Sequence, residues 1–222
     1  MAGTTVTAVG VGVLVIGGGG HALVSIEVVR SCGHDVVGCL TREGVASAVL
    51  DRIGVAVLGT DDELASLVAT EHPRVFVAVG DNEDRQRLSD VVATAGGSLV
   101  RAISPAAVVS TTAHIEVGVL VMPGAVVNAL AHLGRGVIVN THASIDHGCR
   151  IGDFAHVAPG VAVAGDVTIG EGALIGIGAT VVPGRSIGAW ATVGAGACVV
   201  GDVAPGGTVV GVPAHQLPTG QR

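Results

Sequence analysis

The chain has 222 residues, 36 of them Gly, and its 1% aromatic content (Phe76, Phe154 and Trp190) excludes a core of interlocked large rings. The 49% apolar fraction must therefore pack as small and β-branched side chains, and it is too high for a disordered chain. Eleven basic residues, all Arg, against 18 acidic ones leave a net charge of −7, which argues against non-specific nucleic-acid binding.

The N-terminal 26 residues carry no Asp, Glu, Lys or Arg. The apolar run Val6 to Ile16 is too short to span a bilayer, and no basic residue precedes it. It reads as the entry to a first strand over Val11 to Ile16, with no membrane insertion. Gly17-Gly18-Gly19-Gly20-His21-Ala22 follows, then a helix to about Ser31. Glycines between a strand and a helix let backbone N–H groups approach a phosphate. A dinucleotide site would place an acid at the end of the second strand, Val36 to Leu40, and Thr41 stands there instead. NAD is disfavoured, and a different phosphate-bearing ligand remains.

A third strand is predicted at Val55 to Leu58, and a helix over Glu63 to Thr70 capped by Asp61 or Asp62. A strand at Val75 to Val79 and a helix from Asp81-Asn82 to about Ala95 come next, and Leu99 to Ala102 closes the unit. This alternation predicts a small parallel, Rossmann-like α/β domain over residues 1–102.

From Ile103 a strict six-residue period begins. Every sixth position to Val199 is Ile, Val or Leu, seventeen in all. The fifth position of each hexad is Ala, Val or Cys except at Arg185, and Gly recurs at the second and fourth. Such a period means short flat strands joined by identical corners, with the aliphatic pointing inward at each corner. Three hexads close one triangular coil of 18 residues, and coils stack by parallel pairing. Residues 103–204 resemble the left-handed parallel β-helix of hexapeptide-repeat acyltransferases, which implies a homotrimer with acyl-CoA sites between subunits. Residues 205–222 form a C-terminal tail.

The 18-residue coil lets stacking be computed. His114, His132 and Arg150 form one column, read as a solvated edge or a subunit contact rather than a metal site. Asn128 lies under Asp146, and Gly165 lies one coil above His147. A glycine there leaves room for a thioester, and its N–H would serve an oxyanion. Asn140, Asp146 and His156 surround His147 with polar groups in an otherwise aliphatic repeat.

These strings together resemble the two-domain sugar acetyltransferases that act in bacillosamine and perosamine synthesis, and the related sialic acid O-acetyltransferases. The matching pieces are the loop at 17–22, Val77-Ala78-Val79-Gly80-Asp81-Asn82, Asn140-Thr141 through Asp146-His147, His156, and Gly211-Val212-Pro213-Ala214. The resemblance implies acetyl-CoA-dependent transfer to the amine of a UDP- or GDP-linked 4-amino-4,6-dideoxy sugar, with His147 as general base and Asp146 and Gly165 beside it. It implies acetyl-CoA contacts at His156, Ala164, Gly165, Gly176, Ile177 and Val182. It implies nucleotide-sugar contacts at Gly18, Gly19, Gly20, His21, Thr41, Asp81, Asn82 and Asn128. A cytoplasmic enzyme of glycan biosynthesis without a metal is expected, and neither Cys149 nor Cys198 is placed as a nucleophile. The four cysteines, Cys32 and Cys39 included, lack a C-x-x-C and read as buried thiols or bystanders, which a reducing cytoplasm fits.

Two positions depart from the family pattern. Gly148 stands where relatives often carry an acid that orients the catalytic imidazole, with Asp146 the nearest substitute. Thr41 stands where relatives often carry an Asp that reads the base, which leaves UDP and GDP open. Three other readings compete. One is sugar O-acetylation. Another is a metal hydrolyase resembling β-helical carbonic anhydrases, on the five-residue offset of His142 and His147, although its third ligand position is Ala106. The last is a non-catalytic nucleotide-sugar binder.

Overall fold

The computed structural model describes residues 12–44, 48–71 and 74–217. The first strand is β1 (Val13–Ile16), so Val11 and the run before it lie outside the described residues. It is followed by α1 (Gly20–Ser31), β2 (Val36–Thr41), α2 (Ala48–Arg52), β3 (Val57–Thr60), α3 (Leu64–Thr70), β4 (Arg74–Val77), α4 (Asn82–Thr94) and β5 (Ser98–Leu99). The strands form one sheet in the order β3-β2-β1-β4-β5, parallel throughout. All four residues of β1 are buried, because this central strand is covered on both faces. Helix α2 is an addition that the sequence reading lacked. The α3 region is entered through a 3₁₀ turn at Asp61–Glu63, with Thr60 at its N-cap in place of Asp61 or Asp62. The Glu63 carboxylate accepts from the Thr60 N–H at 2.8 Å. Asp81 caps α4 as expected, accepting from the Asp84 N–H at 2.9 Å.

From Ala102 the chain winds into a left-handed parallel β-helix with three faces, each a stack of two-residue strands in 18-residue register. Face one starts at Ala102–Ile103, face two at Val108–Val109 and face three at His114–Ile115. The hexad aliphatics and the small fifth-position residues form one continuous core, from Val119 to Val209. The aliphatics sit within the strands and not at the corners. The corner is made by the fourth residue of each hexad, which takes a left-handed conformation at fourteen successive corners from Gly118 to Gly196. Nine of these are Gly, as that conformation favours, and the others are Leu130, His142, Phe154, Asp166 and Trp190. The tail does more than trail away. Thr208–Val210 pairs with Thr192–Val193, and His215–Gln216 turns back antiparallel on it, ending the coil stack.

The α/β domain packs on face one of the prism and on the edge between faces three and one. Ala22, Ile26 and Val29 of α1 share a core with Ala102, Leu120, Met122 and Ile138. From α4, the buried Arg85 donates to the carbonyls of Gly136 (2.8 Å) and Phe154 (2.6 Å), while Asn82 donates to Gly172 (3.0 Å). Asp90 pairs with Arg135 at 3.0 Å, and the Arg135 guanidinium lies 4.8 Å over the Phe154 ring. A junction with this many polar clamps sets the two units in a defined relation.

Candidate functional site

The first candidate region lies at the carboxyl ends of β1 and β4. Gly19 caps α1 with no side chain of its own, so the helix N-terminus stays open to a cavity of about 320 Å³. Gly17 adopts φ +124°, where a Cβ would strike the Ala78 carbonyl, and Gly18 lies against the Thr41 methyl. Gly18, Gly19, Gly20 and His21 line this cavity, as the loop motif predicted. Arg42, Asp61 and Asp84 line it too, and the sequence pattern marked none of them as a site residue, Asp61 reading only as a helix cap.

Three buried side-chain atoms have no hydrogen-bond partner among the described residues: His21 Nε2, Thr41 Oγ1 and Asp61 Oδ1. His21 and Asp61 line the cavity, and Thr41 packs on the loop that forms its floor. Buried polar atoms are ordinarily satisfied, so the two orphans on residues lining the cavity, His21 Nε2 and Asp61 Oδ1, are what a polar ligand would complete. Burial also pushes the Asp61 carboxyl up from its usual value. Asp81 and Asn82 are engaged otherwise. Asp81 serves as the α4 cap, and Asn82 is spent between Arg85 and the β-helix backbone.

Behind His21 lies His156, with ring centroids 6.1 Å apart. His156 Nε2 meets the Asn140 amide at 3.1 Å. Burial, with the charge of Arg85 added, lowers both imidazoles to about 4, so both rings are neutral at pH 7.

The second region is on the far side of the prism. His147 sits at the edge between faces two and three, with its side chain 61% exposed. Its ring lies directly over Gly165, where a Cβ would come within 2.5 Å of Nε2. The expected ladder is present, since Asn128 donates to Asp146 at 3.1 Å. However, Asp146 Oδ1 accepts the backbone N–H of His147 itself at 2.7 Å. Asp146 therefore fixes the corner and not the imidazole. The carboxylate nearest the ring belongs to Asp166, whose Oδ2 is 4.0 Å from His147 Nδ1. Asp166 lies one coil above Gly148, and a Cβ on Gly148 would run into its carboxylate. The nearest carboxylate to the ring thus comes from the next coil and not from position 148, a neighbour that the 18-residue register brings into place.

Beside this edge, face two carries a cavity of about 440 Å³ bounded by Asn128, Asp146, Ala162, Ala164, Thr180 and Val182, among others. Ala164, Gly165 and Val182 gather here with His147. Gly176 and Ile177 lie on the neighbouring edge, between faces one and two, with Ile177 exposed. His142 is also on that neighbouring edge, so its five-residue offset from His147 brings no paired ligand within one chain. Cys149 points inward, donates to the Ala164 carbonyl at 3.1 Å, and has its thiol pushed up by burial, which leaves it unreactive.

His156 stands on face one, and the edge bearing His147 is the one opposite that face. A single chain therefore separates the loop cavity and His156 from His147 by the full width of the prism.

Residues 12–92 match the family described as the PglD N-terminal domain. Over nearly the whole chain the structure is similar to PerB from Caulobacter crescentus in complex with CoA and GDP-perosamine, at 44% identity and a TM-score of 0.89, covering 95% of this chain and 99% of that one. It is similar to the acetyltransferase domain of PglB from Neisseria gonorrhoeae in complex with acetyl coenzyme A, at 37% identity and 0.85, covering 94% and 100%. WeeI from Acinetobacter baumannii matches at 26% identity and 0.82, covering 93% and 99%.

Proposed function

This chain belongs to the bacillosamine- and perosamine-type sugar acetyltransferases, and we propose that it transfers acetyl from acetyl-CoA to the amine of a nucleotide-linked 4-amino-4,6-dideoxy sugar. The observation that carries the reading is the stacking of an exposed His147 on Gly165, with Asp166 at its Nδ1 side and a cavity lined by small side chains alongside.

The α/β domain holds the nucleotide. The open N-terminus of α1 faces the diphosphate, and the partnerless Asp61 oxygen on the cavity wall meets a polar group of the nucleoside. Acetyl-CoA lies along face two, with its thioester beside Gly165. The Asp166 carboxylate, 4.0 Å from His147 Nδ1, favours the imidazolium electrostatically, and Nε2 acts as the base. As the sugar nitrogen attacks the thioester carbonyl, Nε2 takes the proton that the amine sheds. The Gly165 N–H is not committed to a backbone carbonyl and donates to the oxyanion. The carbon–sulfur bond then breaks and CoA leaves as the thiolate, to which the proton on His147 returns. No acyl-enzyme is required.

Because one chain holds the loop cavity and His147 on opposite sides of the prism, the reaction needs a second copy. We place the sugar of one subunit's nucleotide against His147 of a neighbour, in a homotrimer whose sites lie between subunits. CoA thiol release from acetyl-CoA tests the activity, run with UDP- and GDP-linked 4-amino-4,6-dideoxy sugars and with free sialic acid, His147→Ala alongside. Turnover with one nucleotide-linked amino sugar, lost in the variant, is expected. Turnover with sialic acid alone would transfer the enzyme to the O-acetyl class, and full activity in His147→Ala would remove the mechanism.

A further inference from the structure

Face three of the prism, which the α/β domain leaves open, carries a second group of polar side chains. His114 and His132 are stacked one coil apart in paired strands, with ring centroids 4.9 Å apart. Glu116 follows His114 by two residues, so its side chain leaves the same side of the strand. The stacking arithmetic alone marked the His114, His132 and Arg150 column as a solvated edge or a subunit contact rather than a metal site. What it lacked was the carboxylate between the two histidines.

Glu116 Oε1 is 2.8 Å from His114 Nε2 and 3.8 Å from His132 Nε2. One ligand atom from each of the three residues lies within 4.8 Å of the others. Zinc-to-ligand bonds of about 2.05 Å in tetrahedral array place neighbouring ligand atoms roughly 3.3 Å apart. The two observed separations bracket that value.

We infer that His114, Glu116 and His132 form a binding site for a borderline divalent cation, zinc or its analogues cobalt and nickel, with the fourth position open to water. Two imidazoles and one carboxylate select these ions over magnesium or calcium, which take oxygen ligands. The site joins two successive coils, so occupancy ties their strands together on the outside of the prism. None of the three residues lines the face-two cavity beside His147, and the inference does not depend on the acetyl-transfer reading.

Titration of tag-free protein with zinc by calorimetry, and with cobalt by visible absorption, tests the inference. One ion per chain is expected, with a tetrahedral-type cobalt spectrum, and zinc raises the melting temperature. His132→Ala and Glu116→Gln each weaken binding by more than about tenfold, the loss that even an outer-shell change causes at metal sites. They also abolish the zinc-dependent shift in melting while changing the metal-free melting temperature little, since both side chains are only partly buried. His215→Ala, at the far end of the coil stack, leaves binding intact. No binding at micromolar zinc, or binding that survives both ligand substitutions, would overturn the site.

Discussion

Gly165→Ala isolates the placement of the proposed base from the stability of the fold. The added Cβ would stand 2.5 Å from His147 Cε1 and Nε2, while ordinary contact begins at 3.4 Å. The imidazole must therefore retreat by about 0.9 Å, and it can, because its side chain is 61% exposed. Gly165 does not adopt a left-handed conformation, so alanine strains no backbone there. Stability should change by no more than about 0.5 kcal/mol. A displacement near 1 Å at a reacting group costs about 10²-fold in rate. The expected outcome is a kcat lowered about 10²-fold with an unchanged melting temperature and an unchanged KM for the nucleotide sugar. Activity within about twofold of the parent would refute the reasoning, because a base that tolerates this shift is not the one over Gly165.

Four further outcomes follow from the same geometry. Asp166→Asn should lower kcat by about tenfold or more, since an amide stabilises the imidazolium less; a pH–rate profile identical to the parent's would remove Asp166 from the mechanism. His21 and His156 have folded values near 4, below the 6.5 of the unfolded chain, so the unfolded state binds more protons between these values. Stability is therefore full above pH 6.5 and falls as pH drops toward 4, by at most about 3 kcal/mol per ring. His156→Asn should flatten part of that decline in denaturant melts across pH 4–7. Arg85→Met strips donors from the Gly136 and Phe154 carbonyls and should cost about 3 kcal/mol or more by urea unfolding. Asp61→Ala should raise KM for the nucleotide sugar about tenfold with kcat nearly unchanged, as loss of one hydrogen bond to a charged group predicts; an unchanged KM would move the nucleoside elsewhere.

Some of this site was written in the sequence and some was not. The loop at 17–20 was legible because glycines between strand and helix have few other uses, and the cavity stands where they put it. Arg85 was not legible. In Asn82-Glu83-Asp84-Arg85 it reads like any charge on a solvated helix face, yet it is 1% exposed and joins the two domains. Asp81 and Asn82 were singled out by the same family string and turned out to serve as a cap and a clamp, because a helix N-terminus and a domain junction need donors and acceptors as much as a ligand does. Asp146 was the nearest acid to His147 in sequence, but its oxygen closes the corner backbone, and Asp166 from the next coil faces the ring.

By itself the sequence determined the β-helix. A six-residue period with aliphatics at one position leaves a single way to bury them all, and the period converts residue number into face, edge and height. It also determined which residues stack, since columns follow from adding 18. Only the tertiary structure decided how the α/β domain seats on that prism. The junction rests on non-periodic contacts, Arg85 and Asn82 to backbone carbonyls and Asp90 to Arg135, which no repeat encodes. That seating puts His156 beside the loop cavity and leaves His147 on the opposite edge, and it is the physical reason the proposed reaction calls for a second chain.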